Sequence, residues 1–362
     1  MTREYAPPDR PSAGHLRLIK LLTEAVSVSG YEGAVRAIVR EQVESYADEL
    51  QIDALGNLLV WCKGCSTNRL RVMLAAHMDE VGLMVTAIDH DGSLRFEPVG
   101  WIDTAQLPGK PVWVGKERIP GVIGAPSIGL LTQGDVTRHI EISEMRIDIG
   151  AKSKEEAGGK VKLGEQVVFA SDFTRLGPLV RAKALDDRLG VATLIEMVQH
   201  PPPEIDLLAA FTVQEEVGLR GAQVAAYRME PHLAIVVDCT PARDLPTWNG
   251  GENMQYNTRL GEGPAIYVAD RLSIGDPRLL RLLVETAQQE GIPYQLRQPG
   301  GGGTDAGTIH LTRAGVPSIS MSVPHRYTHS AASFASIADW RASVRLLYAS
   351  LRRVRPSLLK RS

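Results

Sequence analysis

The sequence predicts an α/β protein: a mostly parallel sheet covered by helices, with a small β-barrel-like domain inserted into it. Three observations carry this expectation. Over residues 185–350, apolar β-type runs alternate with stretches of helical periodicity, the pattern of a sheet covered on both faces. Over residues 82–172 the texture changes to short β-type pieces separated by Gly and Pro. On both sides of that stretch, acidic residues and histidines stand at the ends of apolar runs, where an open α/β sheet places its ligands.

The elements follow in order. Apolar residues in HLRLIKLLTEAV and AVRAIVREQVESYA recur at helical spacing, so residues 14–49 read as two helices broken at SVSGYEG. Residues 53–61 and 70–76 read as strands joined by a hairpin turn, the second ending directly at His77. LMVTAID, LRFEPVG, KPVWVG, RIPGVIG, MRIDIG and EQVVFA are the strands of the insertion, and KSKEEAGGK is a short helix and turn. A compact inserted domain accounts for the hundred residues between His77 and Asp186 better than a structureless loop. The expected division is therefore 1–81 with 173–362, and 82–172 inserted.

Beyond the insertion, DDRLGVATLIEMVQH is a helix opening on two aspartates and IDLLAAFTVQEE a strand. LRGAQVAAYRM is a helix and HLAIVVDCT a strand. DPRLLRLLVETAQQEG is a helix, PYQLRQP a strand, TDAGTIHLTRAG helical, PSISMSVP a strand, and ADWRASVRLLYASLRRV the closing helix. Residues 253–266 read as a polar loop near the sheet edge.

Composition narrows the class. The chain has 362 residues, 44% apolar and 23% charged, enough for one large core and a smaller one. A formal net charge of −2 does not point to nucleic acid. No apolar run reaches the roughly 18 residues of a membrane span, and the first residues have no apolar signal core. Cys62, Cys65 and Cys239 make no disulfide framework, so a cytoplasmic protein is expected. Cys62 and Cys65 have no further zinc ligands nearby in sequence and read as free thiols in a turn.

The candidate chemistry is that of two metal ions. His77 and Asp79 lie in LAAHMDEVG, Asp186 in ALDDRLG, Glu215 and Glu216 in TVQEEVG, Asp238 in VVDCT and His329 in HRYTHS. A dinuclear centre wants hard oxygens and imidazoles, with one carboxylate bridging. His77 suits one ion, and Asp79 suits the other ring nitrogen of His77 as an orienting acceptor. Asp186 has two oxygens free to bridge. In the Glu215–Glu216 pair the side chains diverge, so one coordinates and the other stays free to accept a proton. Spacing leaves open which histidine near the strand end binds, and slightly favours His325, the closer of the two.

Each signal alone has an ordinary explanation. A histidine and aspartate in a turn are common, paired glutamates are usually solvated, and two aspartates before a helix can cap it. GGGTDAG lacks the lysine of a phosphate loop and reads as a turn into a helix, with Asp305 either lining the pocket or capping. Cys239 reads as a small buried side chain.

Taken together, DALGNL, AAHMDEVG, IDIGAKSKEEA, ALDDRLG, QEEVGLRGA, LGEGPAI, GGGTDAG and RYTHS occur in an order that resembles the M42 metallo-aminopeptidases of the tetrahedral (TET) type. The chain is similar in the same way to glutamyl aminopeptidases and to proteins once labelled endoglucanase M. The resemblance implies that His77 and Asp238 hold one metal, Glu216 and His329 the other, and that Asp186 bridges them. It implies a cis peptide at Asp187, Asp79 supporting His77, and Glu215 as general base. It selects His329 over His325, which then contacts only solvent or substrate. Two divalent ions are implied, zinc or cobalt, with manganese also accepted by such ligands. The implied reaction removes the N-terminal residue of short peptides through a metal-activated water. The inserted domain is implied to mediate dimerisation, within homo-oligomers that reach twelve subunits.

Two rival readings remain at this stage. One is a related two-metal amidohydrolase, a carboxypeptidase or deacylase, of which a carboxypeptidase would grip the C-terminal carboxylate with a basic residue such as Arg259 or Arg326. A glycosidase needs two carboxylates and no metal cluster, and a binding protein that had lost its chemistry would lack ligands that this sequence has. Side-chain preference would be set by loops around 248–262, 301–307 and 321–330.

Overall fold

Ser12 begins the first helix. Its hydroxyl accepts the His15 backbone N–H while the His15 ring accepts that of Ser12, so α1 (Ala13–Glu24) starts with a reciprocal cap. The computed structural model describes residues 5–126, 140–244 and 257–360. After α1 the chain breaks at the expected stretch and resumes as α2 (Gly33–Val43).

The expected strand at 53–61 is a turn followed by one strand, and another strand precedes it. β1 (Glu49–Ile52) and β2 (Leu58–Cys62) pair antiparallel, and Asp53 sits in the turn between them. Its Oδ1 accepts the backbone N–H groups of Leu55, Gly56 and Asn57, which favours a turn over an extended chain. β3 (Arg71–His77) follows, but not as the hairpin partner of β2. A later strand, β12 (Asp206–Thr212), lies between them, antiparallel to β2 and parallel to β3. The Cys62–Cys65 stretch therefore crosses over β12, and both thiols are free.

Six strands close a barrel in the order β4 (Gly82–Ile88), β5 (Leu94–Val99), β8 (Arg146–Asp148), β7 (Ile119–Gly124), β6 (Pro111–Val114) and β9 (Gln166–Phe169). All of their pairings are antiparallel. Leu83, Val85, Leu94, Phe96, Val112, Ile123 and Ile147 fill its separate core, and α3 (Lys154–Gly158) packs beside it.

The chain then returns through β10 (Thr174–Leu176) and β11 (Leu179–Ala182) to α4 (Leu185–Gln199). After β12 come α5 (Arg220–Met229), β13 (Leu233–Pro241), β14 (Ala265–Tyr267), α6 (Pro277–Glu290), β15 (Gln295–Arg297) and α7 (Ala306–Ile309). β16 (Ser318–Arg326), β17 (Ser333–Ser336) and α8 (Ile337–Leu351) complete the elements used below. The helix expected over TDAGTIHLTRAG is limited to α7.

The large sheet has 11 strands, ordered β1-β2-β12-β3-β13-β16-β17-β11-β10, with β14 on β16 and β15 on β14. The parallel character lies in the four central strands β12, β3, β13 and β16 and in the side pair β14–β15, and the other flanking pairs are antiparallel. Along β3, Val72, Leu74 and Ala76 face the core shared with α4 and α8, while Met73 and Ala75 face the one shared with α5 and α7. This alternation is what a strand covered on both faces requires. α4 is buried on nearly every side, from Leu189 to Val198. Truncating one of its leucines to alanine would cost about 2–5 kcal/mol. No helix among the described residues is long and apolar enough to cross a membrane.

Candidate metal centre

The central strands bring the candidate residues to one edge. β3 ends at His77, and the register that pairs Val236 with Ala75 and Thr212 with His77 brings Asp238 and the loop after β12 alongside it. Asp186 starts α4 just after β11, and His329 follows β16.

His77 is buried, with its ring held from behind. Nδ1 lies 3.2 Å from the Asp79 carbonyl oxygen and 3.4 Å from Asp79 Oδ1. A carbonyl can only accept, so Nδ1 carries the proton and Nε2 keeps a free lone pair. Nε2 faces Asp186 Oδ1 at 3.2 Å and Asp238 Oδ1 at 3.8 Å. The sequence reading assigned the orienting contact to the Asp79 carboxylate; the Asp79 carbonyl shares it and is the closer.

His329 is arranged in the same way. Its Nδ1 donates to the carbonyl of Trp101, in the loop after β5, at 2.7 Å. Nε2 then faces Glu216 Oε1 at 3.3 Å and Asp186 Oδ2 at 3.7 Å. Asp186 thus turns one oxygen to each histidine. The close approach behind His329 depends on Gly100. Its φ is +83°, and a Cβ there would stand 2.9 Å from Val81 Cγ1 and 3.2 Å from Glu216 Cβ.

The backbone around these residues is unusual. The Asp186–Asp187 peptide is cis, as the resemblance implied, and Ala184, Gln214, Tyr327 and His329 have positive φ. Both carboxylate oxygens of Asp187 accept backbone N–H groups. Its Oδ2 accepts the His77 backbone N–H at 3.3 Å and its Oδ1 that of Gly190 at 2.9 Å.

The charges suit cations. Burial raises the Asp238 carboxyl well above its ordinary range, and Asp186 raises it further. Burial does the same to Glu215, helped by Asp238, Glu216 and Asp305 and opposed by His77. Burial lowers the imidazoles, but Asp186 and Asp79 outweigh it at His77, and Glu216 with Asp186 takes His329 to about 9. Crowded carboxylates with inward-facing imidazole nitrogens are a hard oxygen and nitrogen donor set, and divalent ions relieve the repulsion that crowds them. Ligand atoms of His77, Asp187 and Asp238, and of His77, Asp186 and Glu216, lie within 4.8 Å of one another.

His325 is not at the strand end. It lies inside β16, fully buried, with neither ring nitrogen hydrogen-bonded, and burial lowers it to about 4. Contact with solvent is therefore excluded, because the strand runs two residues further than the sequence suggested. Asp305 makes no side-chain cap to α7; its Oδ2 accepts the Thr212 hydroxyl at 2.6 Å. Arg326 is engaged by both oxygens of Asp244, at 2.6 and 2.7 Å. Cys239 is buried, its Sγ 3.3 Å from the Leu185 carbonyl oxygen. Of the loop at 248–262, residues 248–256 lie outside the described residues.

Sequence reasoning missed several supports. Ser29, in the SVSGYEG break, donates to Asp79 Oδ2 at 2.6 Å. The carbonyl of Trp101 has no side-chain signature. Lys183 and Arg188 could have been noticed, since they bracket the two aspartates in KALDDR.

A parallel-centred sheet carrying carboxylates and histidines able to hold two metal ions at one edge defines a metal-dependent hydrolase. Comparison with known proteins gives the family. The profile of the M42 peptidases, described as M42 glutamyl aminopeptidase, matches residues 56–346. The chain is 35% identical over 347 residues to the lysyl aminopeptidase of Pyrococcus furiosus, covering 94% of this chain and 97% of that protein. Its structure resembles an aminopeptidase of Desulfurococcus kamchatkensis with a TM-score of 0.90 at 35% identity, covering 95% and 96% of the two chains. It also resembles the Pyrococcus horikoshii TET1 peptidase, which assembles into a tetrahedron or a large octahedral shell, with a TM-score of 0.81 at 35% identity over 92% and 98%. The chain belongs to the M42 peptidase family and is a dinuclear-metal aminopeptidase.

Proposed function

We propose that His77 and Asp238 hold one divalent ion, Glu216 and His329 the second, and that Asp186 bridges them. Asp79 orients His77, and Glu215 is the general base. The observation that carries this reading is the division of Asp186, with Oδ1 3.2 Å from His77 Nε2 and Oδ2 3.7 Å from His329 Nε2. The ions are zinc or cobalt, with manganese as an acceptable substitute for such ligands.

Bound ions supply polarisation of the scissile carbonyl and a water acidified to near neutral pH. The protein does the rest. Glu215, whose carboxyl is held above its ordinary range, takes the proton of the attacking water and passes it to the leaving amine. The proton on Nδ1 keeps each histidine turned with Nε2 inward. Glu80, Val81, Phe169, Lys183, Ser330 and Ser333 line a cleft shared with Asp186, Glu216 and His329.

The substrates are short peptides with a free N-terminus, and the catalytic part is formed by residues 1–81 and 173–362. Residues 82–172 serve dimerisation, and the protein works in the cytoplasm as a homo-oligomer built from dimers. Assembly of the Pyrococcus horikoshii relative into closed shells supports this.

The test is hydrolysis of free-amine aminoacyl and short-peptide substrates beside acetylated controls, after chelation and re-addition of zinc, cobalt or manganese. Metal-dependent release from free-amine substrates alone is expected, and the panel ranks N-terminal preference. Release from the acetylated controls would move the assignment to an amidohydrolase.

A further inference from the structure

The buried groups behind the site form a second network that the proposed mechanism does not use. Lys183 and Arg188 bracket Asp186 and Asp187, and both reach Glu80, which follows Asp79. Lys183 Nζ donates to Glu80 Oε1 at 2.7 Å, to Oε2 at 2.8 Å and to the Ala25 carbonyl at 2.8 Å. Arg188 Nη2 donates to Glu80 Oε1 at 3.3 Å. Its Nη1 donates to the carbonyls of Met78, at 2.5 Å, and Asp79, at 2.8 Å, while Nε donates to Leu22 O at 3.1 Å. Relative exposure is 0% for Arg188 and 3% for Lys183 and Glu80, so these bonds are made out of water.

We infer that the Lys183–Glu80–Arg188 triad is a positioning device that sets the affinity of the centre for divalent cations. The segment 77–80 carries His77, and the segment 183–188 carries Asp186; no backbone ladder joins the two segments, and the triad ties them at several points. Arg188 grips the same Asp79 carbonyl that receives the His77 ring proton, so guanidinium and imidazole share one acceptor. A shift of α4 relative to the end of β3 would change the His77–Asp186 spacing on which ligation by both depends.

The triad is also charged. Two cations and one anion leave the triad with a net positive charge directly behind a crowd of carboxylates. The bonds of the triad hold the two ligand-bearing segments before any cation arrives, so the site is assembled in advance and less binding energy is lost to organising it. Glu80 is needed because two buried cations side by side would otherwise repel. Glu80 and Lys183 also border the cleft that holds Asp186, Glu216 and His329, but none of the three triad residues is among the proposed ligands, and they act on the centre through those ligands.

This inference rests on the ligand assignment proposed above, and the experiment separates the two. Chelator-stripped full-length protein is titrated with Zn²⁺ or Co²⁺ against a competing chromophoric chelator, and its Tm is read with and without metal. Wild type is compared with Arg188→Lys, Arg188→Met, Glu80→Gln and Lys183→Gln. The variants are expected to bind metal about 10- to 100-fold more weakly, as for residues that support ligands from behind. Their metal-induced rise in Tm is expected to shrink, and Arg188→Lys to retain more affinity than Arg188→Met. Equal affinity in variants and wild type, with stripped and loaded Tm falling in parallel, would reduce the triad to a folding element and overturn the inference. If Arg188→Met does not fold, Glu80→Gln and Lys183→Gln decide the matter. Wild type that binds fewer than two ions would instead sink the ligand assignment.

Discussion

Asp79 Oδ1 accepts the backbone N–H of Glu215 at 3.1 Å. Its Oδ2 accepts the N–H of Glu216 at 3.2 Å and the hydroxyl of Ser29 at 2.6 Å. The same residue holds the ring of His77, so one side chain links the loop after β3 to the loop after β12. Asp79→Asn keeps one acceptor and loses the charge; Asp79→Ala loses both. Metal retention during dialysis against graded chelator is expected to fall about 10- to 100-fold in the first and further in the second. Wild-type retention in both would show that the backbone alone positions His77.

Glu215→Gln is expected to keep both metals while lowering kcat by about 10²- to 10⁴-fold, the range for loss of a general base. Metal analysis and turnover on one preparation check this. Unchanged turnover would remove Glu215 from that role.

His329→Ala is expected to lose one of two bound ions, and His325→Ala to keep both. His329 Nε2 faces Glu216 and Asp186, whereas His325 is enclosed within β16. Metal content per subunit by elemental analysis decides it, and the reverse stoichiometry would overturn the assignment.

Gly100→Ala tests the link between barrel and centre. An L-residue at φ +83° is strained, and its Cβ would press on Val81 and Glu216. A loss of about 1–3 kcal/mol in denaturant unfolding is expected, with weaker retention of the ion held by His329. Wild-type stability and metal content would mean that the loop relaxes freely.

A buried ion pair far from the metals gives a pH prediction. Arg341 Nη1 and Nη2 donate to Glu196 Oε2 and Oε1 at 2.6 and 2.9 Å. Burial raises Glu196, but Arg341 outweighs it and leaves the carboxyl below its ordinary value. A depressed carboxyl stabilises the fold above the unfolded pKa of about 4.3, and that contribution is lost as pH falls through the folded value. Arg341→Met should cost about 3–5 kcal/mol near neutrality, since it strands a buried carboxylate. The variant's deficit should narrow on acidification, as protonation relieves the unpaired charge. Urea midpoints across the acid range test this, and a deficit that does not change with pH would refute it.

Much of this architecture was legible in the sequence, and the failures share a cause. All six β-type pieces of the insertion are strands, and the two N-terminal helices break where SVSGYEG falls, because local periodicity and turn residues act over a few neighbours. The hairpin assigned between β2 and β3 failed because β12, more than a hundred residues later, lies between them. Strand order is a long-range choice that neither strand encodes by itself. His325 was misplaced for a similar reason: β16 is extended past Pro324 by its pairing with β13 and β17.

The sequence by itself determined which residue types were available for metal chemistry, and that each stood at the end of an apolar run. The division of the Asp186 oxygens between two histidines, the Trp101 carbonyl behind His329 and the burial of Lys183, Glu80 and Arg188 were decided only by the tertiary structure. The physical reason is that ligation depends on angles and separations of a few ångströms between segments distant in the chain. Those distances are set by sheet register and by the packing of α4 against β3 and β13, which no local pattern records.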